Sequence, residues 1–540
     1  MTGTSLRAPS RLRLTGWCVG VALLAASAPA AAQDTPRKGG TFIYALTNEP
    51  PHLNIAITTD LNAQQSATNL FSQLIRVEKD GTLTGDLAES WEAAPDGLTY
   101  TFHIRRNVQW HDGKPLKAED VRWALVEITM KYNPIASTGF TAVDKIEAPD
   151  DYTLVVRMKR AFPAFLPWSL VNQWIYPKHL YEGTDPRQNE RNFKNPVGTG
   201  PFVFKEWVRG SHILMERNPN YYKKDLPYLD RVVAKFVPNA DARVLALESG
   251  EIDYVSIFGL PASAVASLEK MRDIEVVTHR TRVNYGGIMA HMNVREKPLS
   301  MKEVRQALYH AIDRKLLVER AVAGLAEPAS SPVSSLHEPW FNPAVANRYP
   351  FDPKKAESLL DQAGFKRGAD GKRFSIRLTY ARADQGGALH AAAEIMREQL
   401  REIGVELVLE PRDYSVWMQS AHLKWEFDLS MGSYQTGPDP AVAVARLYIT
   451  ENIQKLMGRN LMGYSNPKVD ELFSAGEREI DLKKRTKIYH DVQTILVEDV
   501  PALWLWDRIS TFAHRSRVKG RIVGGAHLEN HEGVWVTDGK

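Results

Sequence analysis

Leu87-Ala88-Glu89-Ser90-Trp91, Asp96-Gly97-Leu98-Thr99-Tyr100-Thr101-Phe102-His103-Ile104-Arg105 and Val108-Gln109-Trp110-His111-Asp112-Gly113-Lys114-Pro115 are the passages on which the fold of this 540-residue chain turns. From Tyr100 to Arg105 apolar and polar residues alternate, the period of a half-buried strand, with His103 on the polar face. Asp96-Gly97 before it and Asp112-Gly113 after it are tight-turn pairs, as is Asp80-Gly81 upstream. The same alternation recurs, less cleanly, in Leu154-Val155-Val156-Arg157-Met158 and Ile213-Leu214-Met215.

Beyond residue 300 the pattern turns helical. Ser300-Met301-Lys302-Glu303 has capping-box spacing, and Val304, Ala307, Leu308, Ala311 and Ile312 follow at helical intervals with Gly324 as the stop. Asp352-Pro353 and Asn466-Pro467 each offer an N-cap followed by proline at the first helical position. Gly364 closes the first of these helices. A helix from Ala391 to Ile403 runs through Gly404 into an alternating strand, Val405-Glu406-Leu407-Val408-Leu409, and Ile480 to Glu498 is amphipathic. Interleaved strands and helices without a low-complexity linker predict an α/β protein whose domains join by short crossovers.

The first 32 residues read as a cleavable export signal. Arg7, Arg11 and Arg13 precede an apolar run from Leu14 to Ala26, and Ala30-Ala31-Ala32 supplies the small residues for cleavage before Gln33. Cys18, the single cysteine, lies inside that run behind Trp17, which is not the setting of a lipid-anchor cysteine. Removing three arginines lowers the formal net charge from +4 to +1, which leaves no basic footprint for nucleic acid. No later segment is apolar for long enough to span a bilayer, so a soluble mature protein is expected. Its length exceeds what one hydrophobic core serves, and two or three domains are expected.

No nucleophile elbow, zinc-protease helix, phosphate loop or Cys-His spacing occurs. Gly198-Thr199-Gly200 is followed by Pro201 and reads as a tight turn, not a nucleotide cradle. His111 beside Asp112 reads as a structural histidine, and His527 with His531 as a polar terminal segment. No catalytic residue, metal ligand or cofactor is assigned. Trp417, Trp425, Tyr434, Trp504 and Trp506 cluster late in the chain, where aromatics either fill a core or line a pocket.

Several segments, in order, resemble the oligopeptide/dipeptide/nickel-binding family of extracytoplasmic solute-binding proteins. They are Lys38-Gly39-Gly40-Thr41-Phe42-Ile43-Tyr44, the Leu87 to Pro115 passages, Asn195-Pro196-Val197-Gly198-Thr199-Gly200-Pro201-Phe202, Arg217-Asn218-Pro219-Asn220-Tyr221-Tyr222, Gly250-Glu251-Ile252-Asp253, and Val304-Arg305-Gln306-Ala307-Leu308. The resemblance implies a two-lobed periplasmic-binding-protein type II fold with three interleaved domains and a two-strand hinge. The first domain would take about 33–80, 195–290 and 505–540, the second 81–194 and the third 291–504.

It also implies a periplasmic, monomeric receptor that closes on a small, peptide-like solute and delivers it to an ABC transporter membrane permease, without catalysis. An opine, an oligosaccharide or a metal chelate is the alternative solute, and a periplasmic hydrolase is the reading from another class. Family analogy places Leu46, Thr47 and Glu49 after the first strand, and Tyr434, Gln435, Thr436 and Asp439 of the third domain, at the ligand; Trp417, from the late aromatic cluster, is a further candidate for the pocket. Arg382 lies one residue from the place where dipeptide-binding relatives use an arginine for the ligand carboxylate. Peptide-binding members carry an aspartate a few residues before an Asp-Pro pair, on the ligand ammonium. Here Tyr434-Gln435-Thr436 is neutral, so Asp439 or Glu49 must substitute or the ligand lacks a free amine.

Overall fold

A computed structural model describes residues 35–58, 60–78, 80–133, 139–170, 173–257, 259–279, 286–382, 387–521 and 530–538. The export signal with Cys18, and His527, lie outside the described residues. The chain from Arg37 onward forms one compact unit. Among the described residues no helix is long and apolar enough to cross a membrane.

Two large sheets organise that unit. In the first, seven strands run in the order Ile274–His279, Ser510–Arg515, Tyr254–Val255, Thr41–Leu46, Arg231–Phe236, His212–Arg217, Phe202–Val208. The central strand Thr41–Leu46 is parallel to both neighbours, Thr41 opposite Arg231 and Tyr44 opposite Tyr254. A strand so placed is covered on both faces. Phe42, Tyr44 and Leu46 enter one core, and Ala45 enters another with Ala246 and Leu247 of the helix Ala240–Ser249. The second large sheet has six strands in the order Ala326–Pro328, Ala502–Arg508, Gly286–Met292, Leu429–Gln435, Phe374–Ala381, Val405–Arg412. Its own core runs from Ile288 to Trp506.

The alternating stretch that opened the sequence is the strand Thr99–Ile104, inside a four-stranded antiparallel sheet with Ala88–Ala93, Thr153–Met158 and Val143–Asp150. Tyr100, Phe102 and Ile104 point inward and His103 outward, as the alternation predicts. At the turn before it, the Asp96 carboxylate accepts from the Leu98 amide. Gly198 is a matter of contact: a Cβ there would lie 1.9 Å from the Leu70 carbonyl oxygen. His111 is half-buried in the same place, one ring nitrogen on the Gly198 amide and the other on the Gly200 carbonyl. Burial pushes its pKa down to about 4.

Three local expectations are corrected. The helix Lys302–His310 has Met301 as N-cap with no side-chain cap, so Ser300 builds no capping box. Instead the Arg305 guanidinium binds the Leu299 and Ser300 carbonyls and fixes the entry. The run to Gly324 is two helices, because Asp313 caps a second one, Arg314–Ala321, and so breaks the first. His531 belongs to no polar tail: it is buried between Phe42 and Tyr44 and bonds Asn69.

The chain passes between the two sheets twice. One passage runs from the strand Ile274–His279 to Gly286–Met292; the other joins Ala502–Arg508 to Ser510–Arg515 with one residue between them. A buried ionic seam ties the C-terminal segment to the first sheet's lobe. Asp86 is held by Arg76 (3.1 Å) and Lys223 (3.1 Å), Glu532 by Arg76 (2.8 Å) and Lys223 (3.0 Å), and Tyr222 and Tyr221 donate to the two carboxylates.

Candidate functional site

Register places the predicted site segments at one junction. In the first sheet Ala45 lies opposite Val255, and Val255 opposite Ala513, so the C-terminal end of the central strand abuts the passage at 508–510. In the second sheet Gly287 lies between Asp507 and Tyr434, and Gly286 opposite Gln435. Tyr380 pairs with Met431 in parallel, which carries Arg382 to the same sheet end. Leu46-Thr47 from one sheet, and Tyr434-Gln435-Thr436 with Arg382 from the other, therefore all lie at the ends where the sheets are joined.

Their side chains do different things. Leu46 is fully buried. The Thr47 amide and hydroxyl both donate to Asn62 Oδ1, at 3.1 and 3.0 Å, which fixes the loop after the first strand. Glu49 turns to its own lobe, accepting from Trp207 Nε1 at 2.9 Å and the Gly210 amide at 3.0 Å and pairing with Arg209. Arg382 is exposed, and its backbone amide donates to the Arg412 carbonyl. Trp417 is a wall, not a free surface: its ring packs on Gly432 and its Nε1 donates to Ser430 Oγ. Gln435 is exposed, and Tyr434 is buried with its hydroxyl on Asp507 Oδ1 at 2.9 Å.

Asp439 is already committed. Both carboxylate oxygens bind Arg485, at 2.6 and 2.8 Å, and both side chains are almost fully buried. Oδ1 also accepts from the Ala441 amide and so starts the helix Pro440–Ala443. Burial works against the guanidinium's charge, but Asp439 outweighs it and the Arg485 pKa is raised. Neither carboxylate named from sequence as an amine ligand is unspent.

Two groups at the junction do carry unspent hydrogen-bonding capacity. Thr436, which follows the last paired residue of its strand, is fully buried, and its Oγ1 has no partner among the described residues. Ser256 stands in the same relation to the strand Tyr254–Val255, and its buried Oγ is unpartnered too. A buried hydroxyl left unbonded costs about 1–3 kcal/mol.

A family model described as "Bacterial extracellular solute-binding proteins, family 5 Middle" matches residues 82–455. The chain belongs to this family. Among its family 5 relatives, the oligopeptide-binding protein AppA of Bacillus subtilis is 30% identical over 486 residues, 87% of this chain and 87% of the relative. The glutathione-binding protein GsiB of Escherichia coli is 26% identical over 546 residues, 98% of this chain and 97% of the relative. The solved structure of Bacillus subtilis AppA with a nonapeptide superposes with a TM-score of 0.76 at 28% identity, covering 93% of this chain and 100% of that one. The substrate-binding protein CtaP of Listeria monocytogenes gives 0.81 at 27%, with the same coverage. The family 5 fold is thus the type II, two-lobed one.

In this family 5 chain the lobes touch. Val442 and Ala443 of the helix Pro440–Ala443 pack into the first lobe's core. Farther out Arg160 pairs with Glu477 at 2.8 Å, and Ile480 lies against Gly97. The ion pair is about one-third exposed and worth at most about 1 kcal/mol. Arg160→Gln is therefore expected to weaken solute binding by no more than about fivefold, through the closing equilibrium. The loss should shrink when calorimetric titrations are repeated at high salt.

Sequence reading missed Ser256, Asp507 and Arg485. Serine next to a turn carries no signal of its own, and the Asp439–Arg485 pair spans 46 positions.

Proposed function

We propose that this protein is the solute-binding component of an ABC importer, taking a peptide-like ligand between its lobes and passing it to the membrane permease. It would be exported by its N-terminal segment, work in the periplasm without a lipid anchor, and act as a monomer by binding alone. Domain I would comprise 33–80, 195–290 and 505–540, domain II 81–194 and domain III 291–504. Sheet membership fits this division except at two joins, where Gly286–Met292 and Ala502–Arg508 lie wholly in the six-stranded sheet and so group residues 286–290 and 505–508 with domain III. AppA, named for oligopeptide binding and solved with a nonapeptide, supports the ligand class.

The observation that carries the reading is the pair of buried, unbonded hydroxyls, Thr436 and Ser256, one from each lobe at the joined sheet ends. A ligand that bonds both lobes shifts the open–closed balance toward closed. A micromolar ligand supplies about 8 kcal/mol, enough to close the lobes and still permit release.

The test is a thermal-shift screen of defined peptides, oligosaccharides and opines, because a ligand of the native state raises the melting temperature. Peptides are expected to do so; a response confined to sugars or opines overturns the peptide reading. Thr436→Val removes the hydroxyl and keeps the shape. Its ligand-free melting temperature should equal or exceed that of the wild type, while affinity for the responding peptides falls about tenfold.

A further inference from the structure

Asp507 is a buried acid at the place where the chain crosses between the sheets. It is almost wholly out of water, and it is the last residue but one of the strand Ala502–Arg508, which leads into the passage to Ser510–Arg515. Across the ladder it faces Gly287, the second residue of the strand that the other passage enters. A Cβ on Gly287 would lie 2.1 Å from the Trp506 carbonyl oxygen and 2.8 Å from the Tyr434 ring, so the two crossing strands and Tyr434 are in close contact. On its other side Asp507 is paired with Glu327 of the strand Ala326–Pro328, a second acid on the same face. The other titratable neighbours are the hydroxyls of Tyr434, from Leu429–Gln435, and Tyr309, from Lys302–His310. Arg508, next in the chain, carries its guanidinium to Ser433 Oγ. Among the described residues no lysine, arginine or histidine pairs with Asp507.

Its carboxylate is held by donors. Oδ1 accepts from the Tyr434 hydroxyl at 2.9 Å, and Oδ2 from the Ser335 amide at 3.0 Å and the Ser335 hydroxyl at 3.4 Å. Such a set fits the ionised acid, which can only accept. A protonated carboxyl has a hydrogen to donate, which the Ser335 amide cannot receive, so a bond to a hydroxyl must reverse. These bonds hold the segment around Thr436 from both ends. Tyr434 stands two residues before it. Ser335 opens the turn that carries His337 and Trp340, whose ring nitrogens lie 3.3 and 3.0 Å from the Pro438 carbonyl, two residues after it. Burial, opposed by the Ser335, Tyr434 and Ser334 donors, raises the Asp507 pKa to about 6.

We infer that Asp507 is a positioning residue for the solute-binding segment 434–438, that it works as the carboxylate, and that a proton on it loosens the segment and weakens solute binding. This rests on the solute-binding reading above and adds to it an affinity that falls with acid. The effect on stability has the opposite sign. An acid whose folded pKa is raised above its unfolded 3.8 stabilises the fold fully below that value, and the contribution is lost as pH rises through about 6. Acidification therefore strengthens the ligand-free fold through this group while it weakens binding, whereas general damage to the protein would weaken both.

Three measurements on the ligand-free protein come first. Infrared titration should show a protonated carboxyl stretch that appears as pH falls through about 6 in the wild type and is missing from Asp507→Asn. Amide exchange at residues 435–437, corrected for its intrinsic pH dependence, should be faster at about pH 5 than at about pH 8 in the wild type and equal in the variant. Over the same interval the melting temperature of the wild type should rise relative to that of Asp507→Asn. Binding is then titrated across the interval with peptides that respond in the screen and carry neither histidine nor acidic side chains. Wild-type affinity should fall about tenfold on acidification, and that of Asp507→Asn should stay constant. Tyr434→Phe keeps the acid and loses its tie, so at about pH 8 it should bind as weakly as the wild type at about pH 5; it carries the test if Asp507→Asn does not fold. A missing stretch, exchange that ignores pH, or a wild-type affinity that ignores pH overturns the inference. If no peptide responds but the stretch and the exchange change as stated, the peptide reading falls and the positioning role of Asp507 stands.

Discussion

Arg76→Met is expected to cost about 3–5 kcal/mol of folding stability at neutral pH, the usual loss when one partner of a buried ionic cluster is removed. Arg76 bonds Asp86 and Glu532 at once, and both carboxylates are almost wholly out of water. Without the guanidinium, Lys223 alone faces two buried negative charges. The pH dependence gives the mechanism away. Burial by itself raises the Asp86 pKa, but Arg76 and Lys223 outweigh it and hold the carboxyl well below its ordinary 3.8. A carboxyl with a depressed folded-state pKa stabilises the fold above its unfolded value, and that stability is lost as pH falls through the folded value. The gap between wild type and Arg76→Met, read from urea unfolding, should be full above about pH 5 and shrink toward pH 3 and below. A gap that stays constant with pH would mean that Arg76 acts through packing alone. The seam joins Glu532 near the C-terminus to residues 76, 86 and 223, so the variant should also loosen the C-terminal segment, seen as faster amide exchange at Val534–Val536.

Local chemistry carried far in this chain. Thr99–Ile104 is a strand because its alternation and Asp-Gly turns leave few other options, and Asp352-Pro353 and Asn466-Pro467 start helices by caps that act over three residues. The exceptions are instructive. Ser300 lies one residue before the cap position, and the Arg305 guanidinium, from inside the helix, donates to the Leu299 and Ser300 carbonyls. His531 looked polar because the rings that bury it, Phe42 and Tyr44, lie almost five hundred positions away. The site follows the same rule. Its segments could be named from the family resemblance, which sets Thr47 after the first strand and Thr436 in the third domain. Which charges were already spent could not, because Glu49 is satisfied by Trp207 and Arg209, and Asp439 by Arg485, all tertiary choices.

That distinction makes Asp439→Asn the most informative substitution near the ligand. If Asp439 held a ligand ammonium, the variant would lose binding of peptides with free N-termini, keep binding of acetylated ones, and remain about as stable as the wild type. The geometry predicts another pattern. Arg485 donates to Asp439 through two nitrogens and to the Gly476 carbonyl through Nε, and it lies over the Trp340 and Tyr489 rings. The Pro438 carbonyl beside it accepts from Trp340 Nε1. Neutralising the acid leaves a buried guanidinium unpaired, at about 3–5 kcal/mol. It also releases the segment that carries Val442 and Ala443 into the first lobe, so closure suffers with stability. Affinity should therefore fall equally for free and acetylated peptides. A control follows from the cost of isolated buried charge: Arg485→Met/Asp439→Leu, which removes both charges, should be more stable than Asp439→Asn alone. A selective loss of free-amine peptides from a variant of wild-type stability would return Asp439 to the ligand.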